Sequence, residues 1–240
     1  MSKPLITITG ATSGIGLALA KLLNKKGYPL LLIGRQIEKL EFLNLDNVLI
    51  RGVDVTNLDQ FCFALSEAEE VFGYCDCLIN NAGVMLLGAL DRQDSKEWHV
   101  MLNTNVLGVM NGMQAVLNGM KKRQHGTIIN VSSIAGIKPF PNHAAYTATK
   151  FAVHGLTDNV REEVAMDNIR VITIAPGAVE TPLLSHTTNK QIKNDYQEWK
   201  EGMGGVLEPI VVAEAIAYAY EQPQSVCLRE IVLSATKQQA

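Results

Sequence analysis

Seven short apolar segments recur along the chain, and a stretch with helical periodicity separates each from the next. This alternation constrains the fold strongly, because a helix between two strands returns the chain to the edge of the sheet from which the next strand starts. Right-handed crossovers then place helices on both faces of a parallel sheet. The predicted strands are Leu5 to Thr9, Leu30 to Ile33, Val48 to Val53, Cys77 to Asn80, Thr127 to Val131, Val171 to Ala175 and Cys227 to Leu233.

The pattern runs through all 240 residues without a repeat, a low-complexity tract or a linker. A chain of this length is large enough for one well-buried core and small for two. We therefore expect residues 1–240 to form a single α/β domain. The one change in composition is the polar, charged stretch at residues 183–205, which ends in Gly202-Met203-Gly204-Gly205. Glycines can act as hinges, so we predict that this stretch is a mobile flap over the substrate.

Composition argues against several classes of function. The net charge of -3 gives no basic footprint for a nucleic acid. No run of 18 apolar residues predicts a membrane span, and the N-terminus enters a strand without a cleavable leader, so we expect a cytoplasmic protein. The four cysteines and five histidines lack the spacing of metal ligands, and no metal site is expected.

A glycine-rich loop, Gly10-Ala11-Thr12-Ser13-Gly14-Ile15-Gly16, follows the first strand and precedes a helical pattern. Glycines allow a tight turn and a close approach to a pyrophosphate, whose charge the N–H groups at a helix N-terminus stabilise. The spacing differs from the G-x-G-x-x-G dinucleotide fingerprint, so the position between strand and helix carries the prediction. The alternative is a tight turn that binds no ligand.

Tyr146 and Lys150 are separated by one helical turn, and Ser133 lies 13 positions upstream (146 minus 133), after an apolar run. A tyrosine hydroxyl titrates near pH ~10, so proton transfer near neutrality requires its pKa to fall by roughly three units. A cation at ~4 Å supplies about the 4 kcal/mol that this needs, and i,i+4 spacing puts Lys150 on the same helix face. We predict that Ser133, in preference to the adjacent Ser132, steadies the substrate oxygen.

A second pair with the same spacing, Tyr196 and Lys200, lies in a charged stretch that no buried strand precedes. Leu183 occupies the position 13 residues before this tyrosine. We interpret the second pair as part of a solvated helix face.

Several motifs occur in the order found in the short-chain dehydrogenase/reductases, which this chain resembles from residue 5 to about 182. The motifs are Thr9-Gly10 with Gly14-Ile15-Gly16, Asn80-Asn81-Ala82-Gly83, Asn105, Ser133, Tyr146 with Lys150, and Pro176-Gly177. The resemblance implies a Rossmann-like sheet of seven strands in the order 3-2-1-4-5-6-7. It also implies a nicotinamide cofactor and hydride transfer between the cofactor and a carbonyl or alcohol carbon.

The end of the second strand predicts which cofactor is preferred. Dinucleotide folds that prefer NAD place an acid there for the ribose 2′-hydroxyl, whereas this chain has Gly34 followed by Arg35. A guanidinium suits a 2′-phosphate, so we predict NADP(H), with NAD(H) less favoured. The alternative is that Arg35 only points to solvent.

The resemblance assigns further residues to the cofactor. It places Asp54 and Val55 beside the adenine and Asn81 to Gly83 along the adenosine ribose, although Asp54 could instead cap the helix that starts near Asn57. It assigns Pro176, Gly177, Val179 and Thr181 to the nicotinamide carboxamide and pyrophosphate, although Thr181 could be only a turn former. The predicted cofactor set also includes Gly10, Thr12, Ser13, Gly14, Ile15, Gly16, Arg35, Ala82, Tyr146 and Lys150.

In the implied reaction Tyr146 donates a proton to the developing alkoxide. The resemblance gives Lys150 a second task, binding the nicotinamide ribose, and it continues a proton path through water to Asn105. Asparagine is a poor helix former, so Asn105 predicts a local kink in its helix. Without the resemblance, Asn105 would be an ordinary amide on a helix surface.

The substrate pocket is predicted to be largely apolar. We predict a small free carbonyl or hydroxy compound of the ketone, aldehyde or 3-hydroxy acid type, because relatives that reduce carrier-bound ketoacyl groups tend to have basic residues where this chain has Thr127 and Asp167. A carrier- or coenzyme A-linked reductase and a non-catalytic NADP-binding sensor are the alternatives. The predicted pocket residues are Ile134, Ala135, Phe140, His143, Leu183, Leu184, Trp199 and Met203.

Small and apolar residues on two helices predict a homodimer or homotetramer. They lie around Gly108, Gly112 and Met113 and around Phe151, Gly155 and Leu156. Relatives in the resembled family are mostly tetramers or dimers.

Overall fold

The computed structural model describes residues 3–238, so the two residues at each end of the predicted domain lie outside the described part. Its seven strands form one sheet in the order β3-β2-β1-β4-β5-β6-β7, and every neighbouring pair is parallel. The predicted α/β fold and strand order are therefore confirmed. The strands are β1 Leu5–Thr9, β2 Leu30–Gly34, β3 Val48–Gly52, β4 Cys75–Asn80, β5 Gly126–Val131, β6 Ile169–Pro176 and β7 Glu230–Leu233.

Helices cover both faces of the sheet. They are α1 Gly14–Lys25, α2 Glu38–Glu41, α3 Leu58–Phe72, α4 Ser95–Leu102, α5 Gly108–Arg123, α6 Ala144–Val164, α7 Lys190–Gly202 and α8 Pro209–Glu221. Short 3₁₀ turns occupy Ile134–Gly136, Ala165–Asp167 and Pro182–His186, and a π-helical turn at Asn103–Leu107 joins α4 to α5.

Each face of the sheet has its own apolar core. On one face Leu19 and Leu23 of α1 pack with Ile216 of α8, and on the other Phe61 of α3 packs with Met113 of α5. Central strands β1, β2, β5 and β6 are buried along their whole length. Burial on both faces explains why the strands are continuous apolar runs in the sequence.

The loops after β1, β2, β4, β5 and β6 all leave the carboxyl edge of the sheet. Strand order reverses between β1 and β4, where the chain crosses from one side of the sheet to the other. Open α/β sheets form a crevice at such a reversal, and ligands bind outside the carboxyl ends of the strands. The fold therefore gathers the predicted functional residues at one place.

The stretch at residues 183–205 is mostly helical, because the turn Pro182–His186 and helix α7 occupy it. Buried Thr187 ties it to the loop after β4, since its hydroxyl donates to the Met85 carbonyl and accepts from the Leu87 amide, both at 3.2 Å. At the other end, Lys200 Nζ lies 2.8 Å from Glu180 Oε2.

One expectation about subunit contacts is wrong. Gly108, Gly112 and Met113 are buried inside this chain, where Gly108 packs on Val55 and Gly112 on Asn80. Their small size is explained by these internal contacts. No helix in the described part of the chain is long and apolar enough to cross a membrane.

Candidate active site

A cleft of about 690 Å³ opens at the carboxyl edge of the sheet. Most of the predicted site residues line it. They are Gly10, Thr12, Ser13, Gly14, Ile15, Arg35, Asp54, Val55, Asn81, Ala82, Gly83, Ser133, Ile134, Ala135, Phe140, His143, Tyr146, Lys150, Pro176, Gly177, Val179, Thr181, Leu183, Leu184 and Trp199.

Three predicted residues do not line the cleft. Gly16 lies beneath the glycine loop, where any Cβ would come within 2.6 Å of Asn81 Nδ2, so it sets the shape of the loop. Asn105 is buried behind the wall. Met203 is also buried outside the cleft, because the chain has passed the end of α7 before reaching it.

The glycine loop presents the N-terminus of α1 to the cleft. Gly10 and Gly14 have φ values of 63° and 51°, in the left-handed region that favours glycine. Asn81 Nδ2 holds the loop from behind by donating to the carbonyls of Thr9 and Gly10 at 3.0 and 3.1 Å. Ser13, the first residue before the helix, makes no side-chain capping bond within the described chain, and the first turn of α1 has no acid. The N–H groups of α1 therefore suit the pyrophosphate of a dinucleotide.

At the adenosine end, the chain has no room for an acid at Gly34, the last residue of β2. A Cβ on Gly34 would lie 2.5 Å from Thr12 Cγ2, so even a methyl group collides there. Arg35 is exposed, lines the cleft and makes no ion pair within residues 3–238. A guanidinium free of protein partners suits a phosphate monoester.

Asp54 lines the cleft and does not cap α3. Asn57 caps that helix, since its side chain accepts from the Gln60 amide at 3.0 Å, and the capping alternative for Asp54 is therefore wrong. Asp54 Oδ1 accepts from both the amide and the hydroxyl of Thr56. The Thr56 amide bond is the main cause of a lowered pKa for Asp54, with a smaller contribution from the charge of Arg35.

At the other end of the cleft, Tyr146 and Lys150 are buried side by side on α6. Lys150 Nζ donates to the Val131 carbonyl at 3.0 Å and lies 5.7 Å from the centre of the Tyr146 ring. Ser133 follows β5 at the same edge, and its hydrogen bond to Tyr146 acts to lower the pKa of the phenol. The Ser132 hydroxyl instead donates to the Lys150 carbonyl at 3.2 Å, which leaves Ser133 as the serine at the phenol.

The expected lowering of the Tyr146 pKa is wrong for this structure. Burial raises the pKa of Tyr146 above its usual value, and the Ser133 hydrogen bond offsets this only in part. Burial also lowers the pKa of Lys150, to about 8. Desolvation is thus the largest cause of the pKa shift at both groups, and the helix spacing on which the prediction rested takes no account of it. Near neutral pH Tyr146 carries its proton and Lys150 is mostly an ammonium.

Asn105 is buried in the π-helical turn at Asn103–Leu107, which is the predicted local distortion. Its Oδ1 accepts from the Val84 amide at 2.8 Å, and its Nδ2 donates to the Val84 carbonyl and to Thr149 Oγ1. The alternative of a helix-surface amide is therefore wrong. Asn105 ties the loop after β4 to α6, the helix that carries Tyr146.

Tyr196 and Lys200 do not lie on a solvated helix face. Tyr196 lines the cleft, with its ring centre 6.1 Å from that of His143, and Lys200 is buried in its ion pair with Glu180. Most charged residues of α7 lie outside the cleft, while Ile192, Tyr196 and Trp199 line it. Their i, i+4, i+7 spacing is the signal that could have identified this wall. His186 also lines the cleft and was not predicted from the sequence.

Comparison with known proteins gives consistent results. The family model for short chain dehydrogenase matches residues 4–192. An uncharacterized oxidoreductase from Staphylococcus saprophyticus is 37% identical over 239 residues, which cover 97% of this chain and 96% of the relative.

Solved structures of two further proteins are similar to this chain in sequence and in fold. The closed form of serine dehydrogenase complexed with NADP+ is 29% identical, with a TM-score of 0.89 over 98% of this chain and 96% of that one. ElxO with NADP bound is 30% identical, with a TM-score of 0.84 over 96% of each chain.

Packing of Gly34 on Thr12 yields a stability prediction. Gly34→Ala should lower the free energy of unfolding by about 1–3 kcal/mol, because the added methyl overlaps Thr12 Cγ2. In a Thr12→Ser background, which removes that methyl, most of the loss should disappear. Urea unfolding measures both, with Gly155→Ala in α6 as control, since a Cβ there meets nothing within 4 Å. Equal losses in the two backgrounds would contradict the steric account.

Proposed function

The chain belongs to the short-chain dehydrogenase family, and from that premise we propose that it is an NADP(H)-dependent oxidoreductase acting on small free carbonyl or hydroxy compounds of the ketone, aldehyde or 3-hydroxy acid type. One observation carries the proposal. A protonated, buried Tyr146 beside Lys150 shares a single cleft with the open N-terminus of α1. A proton donor and a dinucleotide seat in one cleft are the two components that carbonyl reduction needs.

The nicotinamide cofactor, when bound, supplies or accepts the hydride. We assign its pyrophosphate to the loop Gly10 to Gly16, its 2′-phosphate to Arg35 and its adenine to Asp54 and Val55. The remaining predicted residues, Asn81 to Gly83, Pro176, Gly177, Val179 and Thr181, would hold the ribose and nicotinamide portions. The NADP named in the titles of the serine dehydrogenase and ElxO structures supports this choice of cofactor.

The catalytic residues divide the proton chemistry between them. Tyr146 donates its proton to the carbonyl oxygen as negative charge develops there. The phenolate that remains is stabilised by the Lys150 ammonium, which at an effective dielectric of ~20 contributes a few kcal/mol even at 5 to 6 Å. Ser133 orients the substrate oxygen, and Asn105 positions α6 and the loop after β4. The predicted proton path from Lys150 to Asn105 remains part of this proposal.

The flap and the outer helices complete the proposal. We propose that residues 183–205 open and close over the substrate, with Gly204 and Gly205, at φ values of 72° and 123°, as the hinge after α7.

We also propose that the protein forms a homodimer or homotetramer. Exposed apolar residues on the π-helical turn, α5 and α6 support it, namely Leu107, Met110 and Phe151.

Removal of the Tyr146 hydroxyl tests the function directly. Tyr146→Phe should lower kcat for NADPH-dependent reduction by about 10²–10⁴-fold, because the variant loses the proton donor assigned to the substrate oxygen. NADPH oxidation at 340 nm with a panel of ketones and aldehydes is the assay. Tyr218→Phe, on the exposed side of α8, is the matched control and should retain full activity. Wild-type rates in Tyr146→Phe would refute the assignment.

Replacement of Arg35 tests the choice of cofactor. Arg35→Gln should raise the Kd for NADPH by about 10–100-fold, since a charged hydrogen bond to phosphate is lost, and should leave the Kd for NADH nearly unchanged. Fluorescence titration of both nucleotides measures the two constants. Lys39→Gln, an exposed residue of α2 outside the cleft, provides the control. An equal effect on NADPH and NADH would remove Arg35 from the 2′-phosphate.

The pKa of Lys150 predicts a pH profile. Below pH about 8 the side chain is an ammonium that stabilises the Tyr146 phenolate, and above it the neutral amine cannot. The rate of reduction should therefore fall as pH rises through about 8, approaching tenfold per pH unit. Lys150→Arg keeps its charge, so its profile should lack this fall whatever its absolute rate. A fall at the same pH in both proteins would assign the titration to another group.

A further inference from the structure

Five rings surround the substrate end of the cleft. They belong to Phe140, His143, Tyr146, Tyr196 and Trp199, and neighbouring ring centres lie 5.2 to 6.3 Å apart. The aliphatic side chains of Leu87, Leu183, Leu184 and Ile192 fill the remaining wall. Such a surface binds an apolar body, and its aromatic faces suit a planar one.

Two polar atoms in this wall have no partner within residues 3–238. His143 Nδ1 lies 2.6 Å from the Pro141 carbonyl, which can only accept, so Nδ1 carries the hydrogen. Burial lowers the pKa of His143, so near neutral pH the ring is uncharged and Nε2 is an acceptor. The Tyr196 hydroxyl is largely buried, close enough to Tyr146 for the two phenols to influence each other, and can both donate and accept.

Among the described residues, no unpaired cation lines this end of the cleft, so an anion would find no counter-ion there. Lys200 is neutralised by Glu180 at 2.8 Å, and Lys150 lies beneath Tyr146, where it donates to the Val131 carbonyl. Lys138 sits 5.0 Å over the ring of Phe140 and does not line the cleft. Asp195, an acid, does line it. A substrate carboxylate would therefore lose its hydration without gaining a counter-ion.

We propose that this site selects neutral, largely apolar carbonyl compounds that carry a hydroxyl on the neighbouring carbon, and that Tyr196 and His143 bind that hydroxyl. The substrate hydroxyl donates to His143 Nε2 and accepts from Tyr196. The rings of Tyr146 and Tyr196 both lie about 6 Å from that of His143, so the groups that protonate the carbonyl and bind the hydroxyl lie close together. We therefore place the two substrate groups on adjacent carbons. This inference rests on the proposed reductase function and narrows it by excluding the 3-hydroxy acid type.

Three compounds that share a phenyl ketone core test the selectivity. Acetophenone has a methyl group beside the carbonyl, 2-hydroxyacetophenone a hydroxymethyl group, and phenylglyoxylate a carboxylate. With wild-type protein and NADPH, kcat/KM for the hydroxy ketone should exceed that for the methyl ketone about tenfold, as expected for one or two hydrogen bonds. Phenylglyoxylate should be the poorest of the three.

Tyr196→Phe removes the hydroxyl and keeps the aromatic ring, so it tests the hydroxyl alone. It should lower kcat/KM for 2-hydroxyacetophenone to near the value for acetophenone, so that the ratio between the two substrates falls from about ten toward one. A general disturbance of the fold would lower both substrates alike. His143→Phe removes the Nε2 acceptor while keeping an aromatic ring, and should reduce the same ratio independently. Tyr218→Phe is again the control.

The outcomes distinguish this inference from the function on which it rests. An unchanged ratio of hydroxy ketone to methyl ketone in both variants, or phenylglyoxylate as the best substrate, overturns the inference alone. If neither these three compounds nor simple aldehydes support NADPH oxidation, the inference and the reductase function are both overturned. A ratio that falls in both variants supports it.

Discussion

The hydrogen bond from Lys150 Nζ to the Val131 carbonyl connects the catalytic helix α6 to strand β5 of the central sheet. It fixes α6 against the end of β5, and the next residues after that strand are Ser132 and Ser133. Because the Lys150 ammonium is buried, its positive charge is poorly screened by water. Tyr146, one turn away on the same helix, therefore has a fixed position relative to both the serine and the charge.

The loop after β4 is held from three directions. Asn105 bonds its Val84 backbone from the π-helical turn, the Thr9 hydroxyl accepts from the amides of Asn81 and Ala82, and Thr187 of the flap bonds at Met85 and Leu87. This loop lines the cleft together with the glycine loop and the aromatic wall. Its hydrogen bonds to Thr9, beside the glycine loop, and to Thr187, in the stretch that carries part of the aromatic wall, attach both parts of the cleft to one loop.

Sequence patterns predicted the sheet and the cleft well, because strands buried on both faces must be apolar and because loops at the carboxyl edge must converge. They failed where burial depends on tertiary contacts. Charged residues surround Tyr196 in the sequence and mask the inner face of α7. Asp54 and Asn57 are both residue types that cap helices, and only the tertiary structure shows that Asn57 caps α3. The Tyr146 pKa was also misjudged, because spacing along a helix gives the distance between two charges but not the desolvation of either.

Contact between Gly34 and Thr12 bears on how such a protein can change over evolutionary time. An acid at position 34 would favour the unphosphorylated ribose, yet the threonine occupies its space. A descendant that exchanged one nucleotide for the other at this position would need a smaller residue at position 12 first, and the opposite order would pass through a less stable ancestor. Side-chain packing between two neighbouring loops thus restricts the order in which the lineage could accumulate these mutations.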